Sequence, residues 1–163
     1  MPQDNKGLLL KLREQKVEFV IIGGVCGVFH GSSMVTFDLD ICCPFSVQIL
    51  RRIETAVRGL HPIHRLTANK LPLELTDELC GRLKNLHLST DLGILDCLSY
   101  VKGIGDYDEV LKRSIPCKLS YGDFRMLDID ALIDAKEAVG RQRDREAVTQ
   151  LRGIREKNRG TKP

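Results

Sequence analysis

Tryptophan is absent from this 163-residue chain, and only 5% of it is aromatic. That poverty argues against a base-stacking platform or an aromatic cage for cations. No run of apolar residues is long enough to span a bilayer, and no secretory leader pattern is visible, so a membrane role is not expected. The six cysteines, at positions 26, 42, 43, 80, 97 and 117, include no Cys-x-x-Cys pair of the zinc-site kind. They sit mostly beside apolar neighbours and read as small buried hydrophobes in a reducing, cytoplasmic setting. Internal repeats and linkers are also missing, so residues 1–163 are expected to form a single domain.

What is present suffices for a core: 42% of the chain is hydrophobic and 29% charged. The net charge of +3 is unevenly distributed. From Lys136 onward nine Lys/Arg face four Asp/Glu, a balance of +5, which leaves −2 on the preceding 135 residues. Such a tail suits either a solvated helix face or a contact with phosphate, and it tilts the expected acceptor toward RNA.

Periodicity orders the elements. A helix is expected around residues 8–12, then a strand over 17–22 that ends at Gly23-Gly24. A short helix over 25–30 and a strand over 37–43 follow, the latter alternating apolar residues with Asp38 and Asp40. Residues 47–60 carry apolar positions at helical spacing. Short strands are expected near 64–67 and 85–88, a longer one over 94–101 with Asp96 inside it, a helical turn over 107–113, and a hairpin whose strands flank Tyr121-Gly122-Asp123. From about 130 the chain reads as helical: Asp130 is expected to cap a helix that Gly140 ends, and a second helix begins near Gln142. The fold class is therefore α+β, a mixed β-sheet flanked by helices with a helical C-terminus.

The chemistry concentrates in two stretches, Ile21-Ile22-Gly23-Gly24 and Thr36-Phe37-Asp38-Leu39-Asp40. Two glycines between a strand and a helix let backbone approach phosphate closely, beside the positive end of the helix dipole. Two aspartates two apart on a strand share a face, and their carboxylates repel unless a cation sits between them. Mg²⁺ prefers such hard oxygen ligands. Asp96 is the candidate third carboxylate, because a charge inside Ile94-Leu95-Asp96-Cys97-Leu98 requires a partner or a metal. Asp91 reads instead as a turn residue, and His30 as a packing or capping residue.

The order Gly-Gly, His-Gly, Thr-x-Asp-Leu-Asp-Ile resembles the DNA polymerase beta-like nucleotidyltransferase superfamily, in particular its AbiEii-type toxins and minimal nucleotidyltransferases. Thr90-Asp91-Leu92-Gly93-Ile94-Leu95-Asp96 resembles that family's third-carboxylate strand. Leu132-Ile133-Asp134-Ala135-Lys136 with Gly140-Arg141-Gln142-Arg143-Asp144 resembles its C-terminal helical signature. The resemblance implies a nucleotidyltransferase fold and transfer of a nucleotidyl group from a nucleoside triphosphate to a hydroxyl acceptor such as tRNA or protein, with a toxin–antitoxin system as one setting. It implies Mg²⁺ or Mn²⁺ on Asp38, Asp40 and Asp96, phosphates at Gly23 and Gly24 beside Thr36, and Lys136 with Arg143 near the substrate; seven residues apart, these two would share one side of a continuous helix, which Gly140 stands to interrupt.

One departure stands out. Relatives commonly carry Arg between the His-Gly pair and the Thr-x-Asp motif, where this chain has Met34 and Val35. Arg51, Arg65 or the C-terminal cations are the available replacements, and a catalytically impaired nucleotide-binding or regulatory module is the alternative function. A phosphohydrolase of the haloacid dehalogenase pattern would want Gly-Thr soon after the second Asp, whereas Ile41-Cys42-Cys43-Pro44 follows.

Overall fold

The computed structural model of the chain describes residues 2–161. Helix α1 (Asn5–Glu14) starts where the Asp4 side chain accepts from the Gly7 amide and buries Leu8, Leu9 and Leu12. The chain then turns on Lys16, at φ 55, and the Val17 amide bonds back to the Leu12 carbonyl. That closure takes Val17 out of the sheet, so β1 is only Val20–Ile22, shorter than the apolar run suggested.

Helix α2 (Gly23–Phe29) follows without an intervening turn, and β2 (Asp38–Cys42) without regular structure between. Ser46 caps α3 (Val47–Val57), whose Ile49, Leu50, Ile53, Ala56 and Val57 are buried; a 3₁₀ turn, Arg58–Leu60, ends it. Next come β3 (Ile63–His64), α4 (Asp77–Arg82), β4 (Asn85–Thr90) and β5 (Gly93–Leu98). Helix α4 was not expected, although its signal is local: the Thr76 side chain accepts from the Leu79 amide, and Asp77 and Glu78 occupy the first turn.

The expected strand over 94–101 divides. Its first part is β5; its second, β6 (Tyr100–Val101), pairs with β7 (Gly105–Asp106) in a separate two-stranded ribbon. Helix α5 (Tyr107–Lys112) leads to the hairpin β8 (Ser114–Leu119) and β9 (Gly122–Leu127), in which Leu119 pairs with Gly122 across a two-residue loop. The chain closes with α6 (Ile129–Val139) and α7 (Gln142–Gly160). The cap of α6 is Asp128, whose side chain accepts from the Ala131 amide, rather than Asp130. Gly140, at φ 70, ends α6 as expected. The helix carrying Lys136 is therefore not continuous with the one carrying Arg143.

The main sheet runs β3-β4-β5-β2-β1-β9-β8. β2 lies parallel to β5 and β1 parallel to β9, with the other neighbours antiparallel. Its registers align Leu39 with Leu95, Ile41 with Cys97, and both with Leu88 and Leu86, all essentially without exposure. This gives one apolar face, against which α1 and α3 pack. The opposite face of the same strands carries Asp38, Asp40, Asp96 and His87. Helix α2 lies against β1, β2 and α6, and α6 against α7. All six cysteines are free and buried, as their apolar neighbours suggested.

The two aspartates at the start of α6 separate by measurement. Asp128→Ala removes the cap and is expected to cost about 1 kcal/mol, while Asp130→Ala removes surface ion pairs worth ~0.5 kcal/mol. Urea unfolding of the two variants checks the order.

Candidate active site

Strand alternation puts Asp38 and Asp40 on one face of β2, and the parallel register sets Asp40 directly beside Asp96 of β5. The three carboxylates each offer an oxygen, and these oxygens lie within 4.8 Å of one another. Asp96 is buried at 5% exposure. A carboxylate this enclosed needs partners, and it has them: Arg65 Nε donates to Oδ1 at 3.2 Å, Arg65 Nη2 donates to Oδ2, and His87 Nδ1 lies 3.0 Å from Oδ1.

Asp38 and Asp40 have no such ion pair among the described residues. The consequence shows at Asp40, whose carboxyl is pushed up to about 7, first by burial and then by the charges of Asp38 and Asp96, against the opposing pull of Lys136 and Arg65. Carboxylate oxygens gathered this closely could hold a metal ion, and an all-carboxylate set is chemically suited to a hard divalent one.

The glycines have a local reason. Gly23 sits at φ +65, and a Cβ there would lie 2.2 Å from Asp40 Oδ2; a Cβ on Gly24 would lie 2.6 Å from Thr36 Oγ1. The backbone thus passes from β1 into α2 directly against the acidic strand, with no side chain capping the helix start. Thr36 hydroxyl donates to the Asp38 carbonyl at 3.2 Å and to Asp38 Oδ1 at 3.3 Å, so it orients the first carboxylate.

Beside these residues lies a cavity of about 340 Å³, whose lining includes Gly23, Gly24, Thr36, Asp38 and Asp40 together with Lys136 and Arg143. Its size is that of a small-molecule site. Lys136 and Arg143 meet here although Gly140 interrupts the helix between them. Met34 and Val35 form part of the wall, so the segment that carries Arg in the resembled family is apolar here. Of the replacements named from sequence, Arg51 is engaged by Glu54, Asp77 and the Leu75 carbonyl, and Arg65 serves Asp96.

Helix α7 holds the wall in place. Gln150 accepts from Ser32 Oγ at 2.7 Å and from the Ser33 amide at 3.2 Å, and donates to Ser33 Oγ at 2.6 Å. Arg143 donates to the Val35 carbonyl. Other basic residues of the tail pair with acids of α6: Arg152 with Glu137, and Arg155 with Asp130 at 2.9 Å. These pairs join α7 to α6, which accounts for part of the basic excess that sequence had tilted toward RNA.

Several contributors were not singled out from sequence as site residues. His87 touches Asp96. Arg141 and Lys102 line the cavity. Arg141 Nε donates to Asp144 Oδ2 at 2.8 Å; burial pushes the Asp144 carboxyl up, but Arg141, through side chain and amide, holds it below the usual range. His30, at the end of α2, hydrogen-bonds through Nε2 to the Leu127 carbonyl of β9 at 2.7 Å, a structural tie between the two elements. Asp91 stands in the turn between β4 and β5, next to His61 at 2.6 Å.

No family model and no curated protein matches the chain. Among solved structures, the crystal structure of ANT(2")-Ia in complex with adenylyl-2"-tobramycin is similar over 91% of this chain and 94% of that one, with a TM-score of 0.50 and 14% sequence identity. The chain shares the fold of that structure. At this identity the likeness extends to the arrangement of the mixed sheet and its helices, and no further.

The Asp40 carboxyl generates a pH test with a definite sign. Its folded-state value is raised from 3.8 to about 7. The folded protein therefore binds more protons than the unfolded chain in that window, and metal-free stability falls as pH rises through it. Asp40→Asn removes the penalty. Thermal melts without divalent ions should show this variant more stable than wild type at pH 8, with the advantage vanishing near pH 4.

Proposed function

We propose that the protein is a metal-dependent nucleotidyltransferase that moves a nucleotidyl group from a nucleoside triphosphate to a hydroxyl acceptor and releases pyrophosphate. The observation that carries this reading is the gathering of oxygens of Asp38, Asp40 and Asp96 within 4.8 Å, at a cavity that Lys136 and Arg143 also line, in a fold shared with ANT(2")-Ia.

Each residue has a role in that chemistry. Asp38 and Asp40, with Asp96 beside them, would hold Mg²⁺ or Mn²⁺, which supplies charge neutralisation on the transferring phosphate and favours the alkoxide form of the acceptor. Thr36 fixes the rotamer of Asp38. Gly23 and Gly24 keep the entry to α2 free of side chains, so phosphate oxygens can approach the backbone. Lys136 and Arg143 attract the triphosphate to the cavity. The acceptor oxygen bonds to the α-phosphorus, its proton passes toward Asp96, and the bond to the bridging oxygen breaks as pyrophosphate leaves.

The acceptors we bring forward are a tRNA end and a protein hydroxyl, with a toxin–antitoxin system as the setting. They rest on the sequence resemblance, while ANT(2")-Ia was captured with adenylylated tobramycin. A cytoplasmic location accords with six free, buried cysteines; no helix among the described residues is long and apolar enough to cross a membrane.

A second reading, a nucleotide-binding module with impaired turnover, is favoured by one observation, the apolar Met34 and Val35 in the cavity wall. Incubation with α-labelled triphosphates, Mg²⁺ and candidate tRNA or protein acceptors separates the two. The enzyme reading expects label on an acceptor and stoichiometric pyrophosphate, both reduced to background in Asp38→Ala and Asp40→Ala. Binding without pyrophosphate release selects the second reading, and wild-type rates in either variant would overturn the site.

A further inference from the structure

We propose that Arg65 occupies the place of a second metal ion, so that Asp38, Asp40 and Asp96 work with a single divalent cation. The inference rests on the nucleotidyltransferase reading and deepens it.

The two-metal form of such a transfer sets one ion at the attacking oxygen and one at the leaving oxygen, about 3.5–4 Å apart. The ion at the attacking oxygen needs the third carboxylate, here Asp96. That carboxylate is already engaged from both sides. An ionised carboxylate offers about four lone-pair positions. Asp96 Oδ1 accepts from Arg65 Nε at 3.2 Å and faces His87 Nδ1 at 3.0 Å, and Oδ2 accepts from Arg65 Nη2. These contacts leave one position, on Oδ2, which serves either the ion shared with Asp38 and Asp40 or the proton of the acceptor. An additional dication on that oxygen would face the guanidinium across a single atom, and like charges so close repel strongly. Three carboxylates and one guanidinium leave two negative charges, which one divalent ion balances.

The backbone holds Arg65 to this task. β3 pairs His64 with Leu88 of β4, and the next amide, that of Arg65, donates to the His87 carbonyl at 3.1 Å. His87 in turn stands opposite Asp96, and Asp96 opposite Asp40. The four residues therefore follow one another across the sheet, and the Arg65 side chain reaches back past β4 to Asp96. Its planar fork matches both carboxylate oxygens, a geometry that Lys cannot reproduce. Asp96 is only 5% exposed, so withdrawing the guanidinium to admit another ion would strand a buried charge.

Equilibrium dialysis against Mn²⁺ and the α,β-methylene analogues of ATP, CTP, GTP and UTP, which bind without transferring, tests the assignment. Metal and nucleotide retained by the protein are counted, and paramagnetic resonance reads whether bound ions are magnetically coupled, as a close pair would be. Wild type should retain one Mn²⁺ per nucleotide, uncoupled. Arg65→Gln, which removes the charge, should double that ratio and show coupling, while Arg65→Lys, which keeps it, should match wild type. Equal melting temperatures check that the variants fold; should Arg65→Gln not fold, the counts for wild type and Arg65→Lys decide. Two coupled ions in wild type, or an unchanged ratio in folded Arg65→Gln at millimolar Mn²⁺, overturns the role of Arg65 and leaves the nucleotidyltransferase reading standing. Retention of no analogue by wild type overturns that reading, and the role of Arg65 with it.

Discussion

The register between β2 and β5 is the constraint on which the rest depends. Burial of Leu39, Ile41, Leu95 and Cys97 on one face of the sheet leaves the alternate positions no choice but the other, and the parallel pairing brings Asp40 beside Asp96. A slip of one residue would turn the acids into the core, so the apolar face enforces the acidic one. Repulsion among the three carboxylates is only partly relieved within the chain, by Arg65 and His87 on Asp96. The remainder shows at Asp40, whose carboxyl is pushed up to about 7 by burial and its two acidic neighbours, and the three carboxylates together could hold a divalent cation.

Neighbouring residues follow from that crowding. Gly23 and Gly24 have no room for a Cβ against Asp40 and Thr36. Thr36 holds Asp38, and the segment carrying Thr36 is itself held by Gln150 and Arg143 of α7. Helix α7 in turn is fastened to α6 by Arg152–Glu137 and Arg155–Asp130, and α6 carries Lys136. The C-terminal helices are thus coupled to the carboxylates through a continuous chain of contacts.

Much of this was legible in the sequence where the signal is local. Alternation around Asp38 and Asp40 exposed β2, the glycine pair marked the passage from β1 to α2, and Gly140 marked the end of α6. Legibility failed where a distant contact decides. Asp128 and Asp130 are equally good caps on paper, and the end of β9 selects the first. Residues 94–101 look like one strand, but the chain leaves the sheet after Leu98 and pairs with itself through the turn at Gly103. Arg65 stands 31 residues before Asp96, and no pattern announces their meeting. The basic tail looked free because its partners, Glu137 and Asp130, lie on another helix. The short α4 was readable from Thr76, Asp77 and Glu78, but two nearby prolines obscured it.

Direct measurement of Mn²⁺ binding by paramagnetic resonance, in wild type and in an Asp38→Asn/Asp40→Asn variant, tests the central claim that these carboxylates form a cation site. Wild type should take up Mn²⁺, with Mg²⁺ displacing it, and the double variant should leave it free in solution while remaining folded. Equal uptake by both proteins, or none by wild type at millimolar Mn²⁺, would contradict the account.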